Sequence, residues 1–185
     1  MKTFALILTA ALALPSLALA DKATKLSDGD AKIVEHFHHV NMMETDLGKS
    51  AQKSGTAAVK GYADTMVTDH TASDKDLTAF AKKHGMSSIP MEKAETDADR
   101  EAAKDMTASV AKLKTVKGAD FDKQYLTMMS QDHDKELAKV DTAISTATDP
   151  DLQAWLKATK PVLQRHSDQA RDLLKGAAPT ATPAR

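Results

Sequence analysis

The sequence contains the stretch Tyr62-Ala-Asp-Thr-Met66-Val-Thr-Asp69-His70, and its pattern recurs as Tyr125-Leu-Thr-Met-Met129-Ser-Gln-Asp132-His133. Both stretches read Tyr-x3-Met-x2-Asp-His. At 3.6 residues per helical turn, the Tyr, Met and His of each stretch are spaced four apart and lie on one face of a helix. The repeat therefore predicts two related helices that present the same face to a common centre.

Apolar residues recur at helical spacing in five segments, which predicts an all-α chain. Ser27 is a suitable N-cap for the first helix, and Gly55 and Gly85 follow the ends of the first two. The third segment is the most charged, which is typical of a peripheral crossover helix. The predicted helices cover residues 27–54, 56–84, 91–115, 118–146 and 150–175.

The four long helices are the first, second, fourth and fifth, and tight turns join them into two antiparallel hairpins. A crossover that contains the third helix links the hairpins and makes the second and fourth helices run parallel. This is the connectivity of a ferritin-like four-helix bundle, here predicted over residues 27–175. The matched register of the two Tyr-x3-Met-x2-Asp-His stretches agrees with parallel helices.

The N-terminal residues 1–20 have the features of a cleavable signal peptide. Lys2 supplies the positive charge, residues 4–14 form a short apolar run, and Ala18-Leu19-Ala20 is an Ala-x-Ala cleavage site. The run is too short to span a bilayer. We therefore expect cleavage after Ala20 and a periplasmic or secreted product without a transmembrane segment.

Composition narrows the classes of function. The 25 basic and 26 acidic side chains are interspersed, which argues against nucleic-acid binding. The chain has no cysteine, so it has neither a disulfide nor a thiol nucleophile. No Gly-x-Ser-x-Gly elbow and no phosphate-binding Gly-rich loop are present, so any enzyme would have to be metal-dependent. Flanking the bundle we expect a short lead, residues 21–26, and a disordered tail, residues 176–185.

Each long helix carries one polar residue within its apolar stripe. At about 1.5 Å per residue, the two such residues of each hairpin lie about one turn apart in depth, so all four can meet at mid-bundle. Imidazole nitrogens and a carboxylate oxygen are ligands for Zn, Fe, Mn or Cu. The sequence thus predicts a site for one divalent transition metal, with the ligands Glu44, His70, His133 and His166.

Other polar residues are predicted to support these ligands. Asp69 and Asp132 each precede a predicted ligand and project about 100° away from it, so they suit acceptors for an imidazole N–H of the opposite helix. Asn41, Tyr62 and Tyr125 are further hydrogen-bonding candidates near the site.

Two alternatives remain open at this point. The polar residues can instead form a metal-free structural network in an envelope stress or interaction protein. A metal-dependent redox enzyme is a third possibility. A separate group on the first helix combines imidazoles with thioethers, which suits copper, although Met is also ordinary core filler; it comprises His36, His38, His39, Met42 and Met43.

From Leu26 to about Leu174 the chain resembles the bacterial secreted family catalogued as domain of unknown function 4142. The resemblance rests on Asn41-x2-Glu44-x3-Gly48-Lys49, Met66-Val-x-Asp69-His70-Thr71, Tyr125-x3-Met129-x2-Asp132-His133 and Pro161-x-Leu163-x2-His166. It implies a ferritin-like bundle and no settled activity. The classical di-iron signature, Glu-x2-His on two helices, is absent, so a two-metal carboxylate oxidase is not expected.

Overall fold

The computed structural model describes residues 25–177, and within this range the chain forms five α-helices and no strand. The all-α prediction is confirmed. The predicted signal peptide and residues 178–185 of the predicted tail lie outside the described residues, while the last helix continues two residues past its predicted end. The helices are α1 (Asp28–Ser54), α2 (Ala57–Lys83), α3 (Asp97–Leu113), α4 (Gly118–Thr146) and α5 (Pro150–Ala177).

The start of α3 differs from the prediction. Thr96 and Asp99 form a reciprocal capping box, in which the Thr96 hydroxyl accepts the Asp99 N–H at 3.1 Å and the Asp99 carboxylate accepts the Thr96 N–H at 2.9 Å. This cap fixes the first turn at Asp97 and leaves residues 91–96 non-helical. Leu113 is the one buried residue of α3, which is therefore a peripheral helix, as predicted.

The buried apolar side chains form two clusters at opposite ends of the bundle. The first cluster joins the C-terminal parts of α1 and α5 to the N-terminal parts of α2 and α4, and the second cluster joins the remaining ends. Accordingly α2 and α4 run parallel, and α1 and α5 run in the other direction. With α1 packed on α2 and α4 on α5, this arrangement is consistent with a ferritin-like bundle.

Gly48 allows α1 and α2 to approach closely. A Cβ atom at this position would lie 2.7 Å from Cγ2 of Val67 and 3.3 Å from the carbonyl oxygen of Ala63. Any larger residue would push α1 and α2 apart where they contact the first cluster, at Ala63 and Met66. The glycine in the Asn41-x2-Glu44-x3-Gly48 motif thus has a packing role.

Two buried aspartates tie each hairpin turn to the other hairpin. Asp30 of α1 accepts the N–H groups of Thr148 and Asp149, at 2.9 and 3.2 Å, and the Thr148 hydroxyl at 2.5 Å. At the opposite end, Asp122 of α4 accepts the N–H of Thr56 at 3.0 Å. These bonds satisfy backbone donors at helix N-termini that have no intrahelical partner.

We expect Asp30→Ala to lower the free energy of unfolding by about 2 kcal/mol at pH 7, because buried donors then lose a charged acceptor. Burial raises the pKa of Asp30, but the bonds from Thr148 outweigh it and hold the pKa below its ordinary value of 3.8. The contribution is therefore present above about pH 4 and lost as pH falls through the folded-state pKa. Urea unfolding at pH 7 and pH 3 measures both effects.

The exposed Asp28, in the same first turn of α1, provides the control for Asp30. Asp28→Ala removes the same charge from the helix N-terminus and is expected to cost about 0.5 kcal/mol. Equal losses in the two variants would contradict a tie between α1 and the α4–α5 turn.

Candidate metal centre

Three imidazoles meet in the middle of the bundle, between the two apolar clusters. His70 of α2, His133 of α4 and His166 of α5 each offer a ring nitrogen, and these nitrogens lie within 4.8 Å of one another. The ring centroids are 5.3 to 5.6 Å apart. All three side chains are at most 3 % exposed. Within residues 25–177, these are the three side chains whose ligand atoms lie close enough together to share one metal ion.

The repeated Tyr-x3-Met-x2-Asp-His pattern brings matching residues of α2 and α4 to the same heights. The Tyr62 and Tyr125 rings meet edge to face with centroids 6.0 Å apart, and the His70 and His133 rings do the same at 5.6 Å two turns further along. The methionines between them are fully buried in the first cluster. The two helices therefore present the same face to a common centre, as the repeat predicts.

Asn41 fixes the orientation of the His70 ring. The Nδ1 of His70 lies 2.9 Å from Oδ1 of Asn41. An amide oxygen only accepts hydrogen bonds, so Nδ1 carries the proton and donates. The other nitrogen, Nε2, then has a free lone pair, and it is buried without a hydrogen-bond partner.

The other two rings are held in the same way by different acceptors. His133 donates from Nδ1 to the Met129 carbonyl oxygen at 2.8 Å, and His166 donates from Nε2 to Oδ2 of Asp69 at 2.8 Å. The remaining nitrogens, Nε2 of His133 and Nδ1 of His166, are buried without partners. Metal-ligating histidines have this arrangement, with one nitrogen donating to a fixed acceptor and the other left for the metal.

Burial keeps the three imidazoles neutral. It lowers the pKa of His70 well below 6.5, with the neighbouring His133 and His166 acting in the same direction. It lowers the pKa of His133 to about 4, and that of His166 falls as well although Asp69 opposes the change. Neutral rings have the lone pairs that a metal ion needs.

Glu44 lies beside the three imidazoles rather than within their group. Its side chain is 1 % exposed, its Oε1 is 4.0 Å from Nδ1 of His133, and both carboxyl oxygens are buried without partners. Burial raises its pKa well above 4.5, and the charges of Asp132 and Glu136 add to this. This shift favours the neutral form of the carboxyl when no cation is nearby. Its role as a fourth ligand remains a prediction.

The two tyrosines line the site on the side of the first cluster. The Tyr62 hydroxyl donates to the carbonyl oxygen of His166 at 3.1 Å and so ties α2 to α5 at this level. The Tyr125 hydroxyl is buried and has no hydrogen-bond partner. Burial, together with the nearby Glu44 carboxyl, raises the pKa of both phenols, so both stay protonated.

The structure does not place Asp132 against an imidazole, where the sequence pattern predicted it. Its Oδ1 accepts from Nζ of Lys135 at 3.3 Å, and its Oδ2 is buried without a partner. The charge of Asp132 acts on the Glu44 carboxyl of α1, a group that offers no N–H. Asp69, by contrast, occupies the predicted position as acceptor of an α5 imidazole.

The histidines of α1 face different neighbours. His36 contacts Glu92 at 2.9 Å and Glu136 at 2.7 Å through its two ring nitrogens, and Nδ1 of His38 contacts Asp74 at 2.6 Å. Burial lowers the pKa of His36, but its carboxylate partners outweigh this and raise it overall. His36 and His38 of the predicted imidazole–thioether group are therefore engaged by different carboxylates and do not share one site.

Sequence reasoning missed two parts of the site. The Met129 carbonyl that orients His133 is a backbone group, and no residue type marks it. Arg165 donates to Oδ2 of Asp69 at 3.0 Å and so fixes the acceptor of His166. Arg165 directly precedes His166, which lies in an apolar stripe. An adjacent residue lies on the flank of the same helix, so the sequence could have indicated that Arg165 is near the site.

A model of the family described as Domain of unknown function (DUF4142) matches residues 16–173, and the chain therefore belongs to this family. No curated protein and no solved structure gives a match. Across residues 25–177, none of the helices has both the length and the apolar character that a membrane crossing requires.

Proposed function

We propose that this chain is an exported helical-bundle protein that binds one divalent transition metal through His70, His133 and His166. The observation that supports this most directly is the state of the ring nitrogens. Each imidazole donates one N–H to a fixed acceptor and leaves its other nitrogen buried without a partner, and ring nitrogens of the three residues lie within 4.8 Å of one another. Export rests on the signal-peptide features of residues 1–20.

Glu44 is the proposed fourth ligand. Both its oxygens lack partners, and Oε1 lies 4.0 Å from Nδ1 of His133. A cation at the three nitrogens would lower the pKa of the carboxyl and ionise it. Metal binding would therefore release a proton. A set of three nitrogens and one oxygen suits Zn, Fe, Mn or Cu, and the deep burial of the imidazoles favours retention of the ion over turnover of a large substrate.

A metal-free structural network is the rival explanation. A buried network rigidifies a core when all its members are satisfied, and each unsatisfied member costs free energy. Here three ring nitrogens, both Glu44 oxygens and the Tyr125 hydroxyl lack partners. A metal ion accounts for the nitrogens and the carboxyl together, which favours the binding function.

We expect the purified protein to hold about one equivalent of transition metal, or to take up one equivalent of Co²⁺ or Zn²⁺ after chelator treatment. Elemental analysis after mild purification gives the resident metal, and a Co²⁺ titration followed by visible absorption gives the stoichiometry and the donor set. Less than about a tenth of an equivalent in both measurements would contradict the proposal. Uptake that persists with the three imidazoles removed would place the metal elsewhere.

A further inference from the structure

A groove of about 680 Å³ lies between α3 and α4, on the outside of the bundle. Its wall on the α3 side includes Asp105 and Met106, and its wall on the α4 side includes Met128, Asp132 and Lys135. Nearly all of α3 is exposed, so widening this groove disturbs little buried surface. The groove is thus accessible from solvent without opening the hairpins.

Asp132 is the one buried acidic residue among those that line this groove. The residue is only 7 % exposed, and its Oδ2 is buried without a partner while its Oδ1 contacts the ammonium of Lys135. The Lys135 side chain is 69 % exposed and can leave this contact at little cost. A buried carboxylate oxygen without a partner costs free energy, and binding of a cation removes that cost.

Asp132 is also the residue of the groove lining that lies nearest along the chain to one of the three imidazoles. It precedes His133 on α4, so the groove reaches the backbone that carries a proposed ligand. The other carboxylate beside the centre, Asp69, is already engaged, because its Oδ2 accepts from both His166 and Arg165. Of these two carboxylates, Asp132 is therefore the one that lines the groove and has an oxygen without a partner.

We infer that the α3–α4 groove is the route by which the metal ion reaches the three imidazoles, with Asp132 as a transient ligand on the way. This inference rests on the proposed metal-binding function. The carboxylate oxygen of Asp132 binds a partly hydrated divalent cation, and the nitrogens of His70, His133 and His166 then take it over. Lys135 is a competing cation that occupies the same carboxylate when no metal is passing.

A route of this kind changes rates but not the equilibrium. A transient ligand lowers the barrier equally in both directions, so its loss slows association and dissociation by the same factor and leaves the Kd unchanged. We expect Asp132→Asn to slow Co²⁺ association and dissociation about tenfold each, with a Kd within about threefold of wild type. Lys135→Gln is expected to speed both, by about threefold, because the competing ammonium is gone.

Stopped-flow absorption with Co²⁺ measures association, and displacement by excess chelator measures dissociation. Asp141→Asn is the matched control, because it removes the same charge from an exposed position of α4, where Asp141 contacts Lys160. This control is expected to leave both rates within about twofold of wild type. Circular dichroism shows whether each variant keeps its helices.

Three results would overturn the inference. Unchanged rates in Asp132→Asn, with one equivalent of Co²⁺ still bound, would exclude this route while leaving the metal centre intact. A weakened Kd with unchanged association would show that Asp132 acts in the final site. Failure of the wild-type protein to bind Co²⁺ would remove both the proposed function and this route. Slower Co²⁺ association and dissociation in Asp132→Asn and faster rates in Lys135→Gln, with the rates of Asp141→Asn unchanged, would support the inference.

Discussion

Replacing His133 with alanine is expected to weaken Co²⁺ or Zn²⁺ binding by about a thousandfold. Binding of a structural metal ion by a protein site is worth on the order of 10 kcal/mol or more, so one of three imidazoles supplies about 4 kcal/mol of it. No other side chain can replace the lost nitrogen without a change in the packing of α4, because His133 is 1 % exposed and lies between the two apolar clusters. Isothermal titration with a competing chelator measures the change.

The matched control for His133→Ala is His38→Ala. His38 is an imidazole on α1 that contacts Asp74 and is not part of the group of three. We expect this variant to keep the wild-type affinity within about twofold. The metal affinity of Asp69→Asn should lie between those of the two alanine variants, about 10- to 100-fold below wild type, because the substitution disturbs the acceptor that orients His166. Equal affinities in all of these proteins would contradict the proposed ligand set.

Acidification from pH 7 to pH 5 is expected to destabilise the metal-free protein strongly. A group whose folded-state pKa is lowered lets the unfolded chain bind more protons, so stability is lost as pH falls from the unfolded to the folded pKa. For His133 this window runs from 6.5 down to about 4, and the loss by pH 5 is about 2 kcal/mol from this ring alone. The pKa values of His70 and His166 are also lowered on folding, so these two rings add to the loss of stability.

Glu44 acts in the opposite direction. Its pKa is raised on folding, so its contribution to stability falls as pH rises above about 4.5. Burial also raises the pKa of Asp132, which acts in the same direction as Glu44. Because three imidazoles oppose these two carboxyls, the acid loss prevails below pH 6.5, and the metal-free protein should be most stable near that pH. Urea unfolding in the presence of chelator at pH 5, 6 and 7 measures how the free energy of unfolding changes with pH.

His133→Gln tests whether the imidazoles cause this slope. The substitution removes one titrating ring, so the stability lost between pH 7 and pH 5 should shrink by about 2 kcal/mol. A bound metal ion should stabilise the wild-type protein at pH 7 and lose this effect as the imidazoles protonate. A metal-free stability that does not change between pH 7 and pH 5 would show that the rings are not held neutral.

The sequence determined the helices and the level at which the polar residues meet. Hydrophobic periodicity depends on local geometry, so the five helices followed from it, except where the Thr96–Asp99 capping box competes with the apolar pattern at the start of α3. The Tyr-x3-Met-x2-Asp-His repeat placed His70 and His133 at matching heights, because two parallel helices with the same spacing rise equally per residue.

Only the tertiary structure decided which partner each polar group meets. Asp69 and Asp132 occupy the same position in the repeat, yet Asp69 accepts from His166 while Asp132 faces the α3–α4 groove. The difference arises from the contacts between the hairpins: there α2 meets α5, which offers an imidazole N–H, whereas α4 meets α1, which offers the Glu44 carboxyl. A local pattern fixes which face of a helix a residue lies on, but the neighbouring helix supplies the donor or acceptor that gives the residue its role.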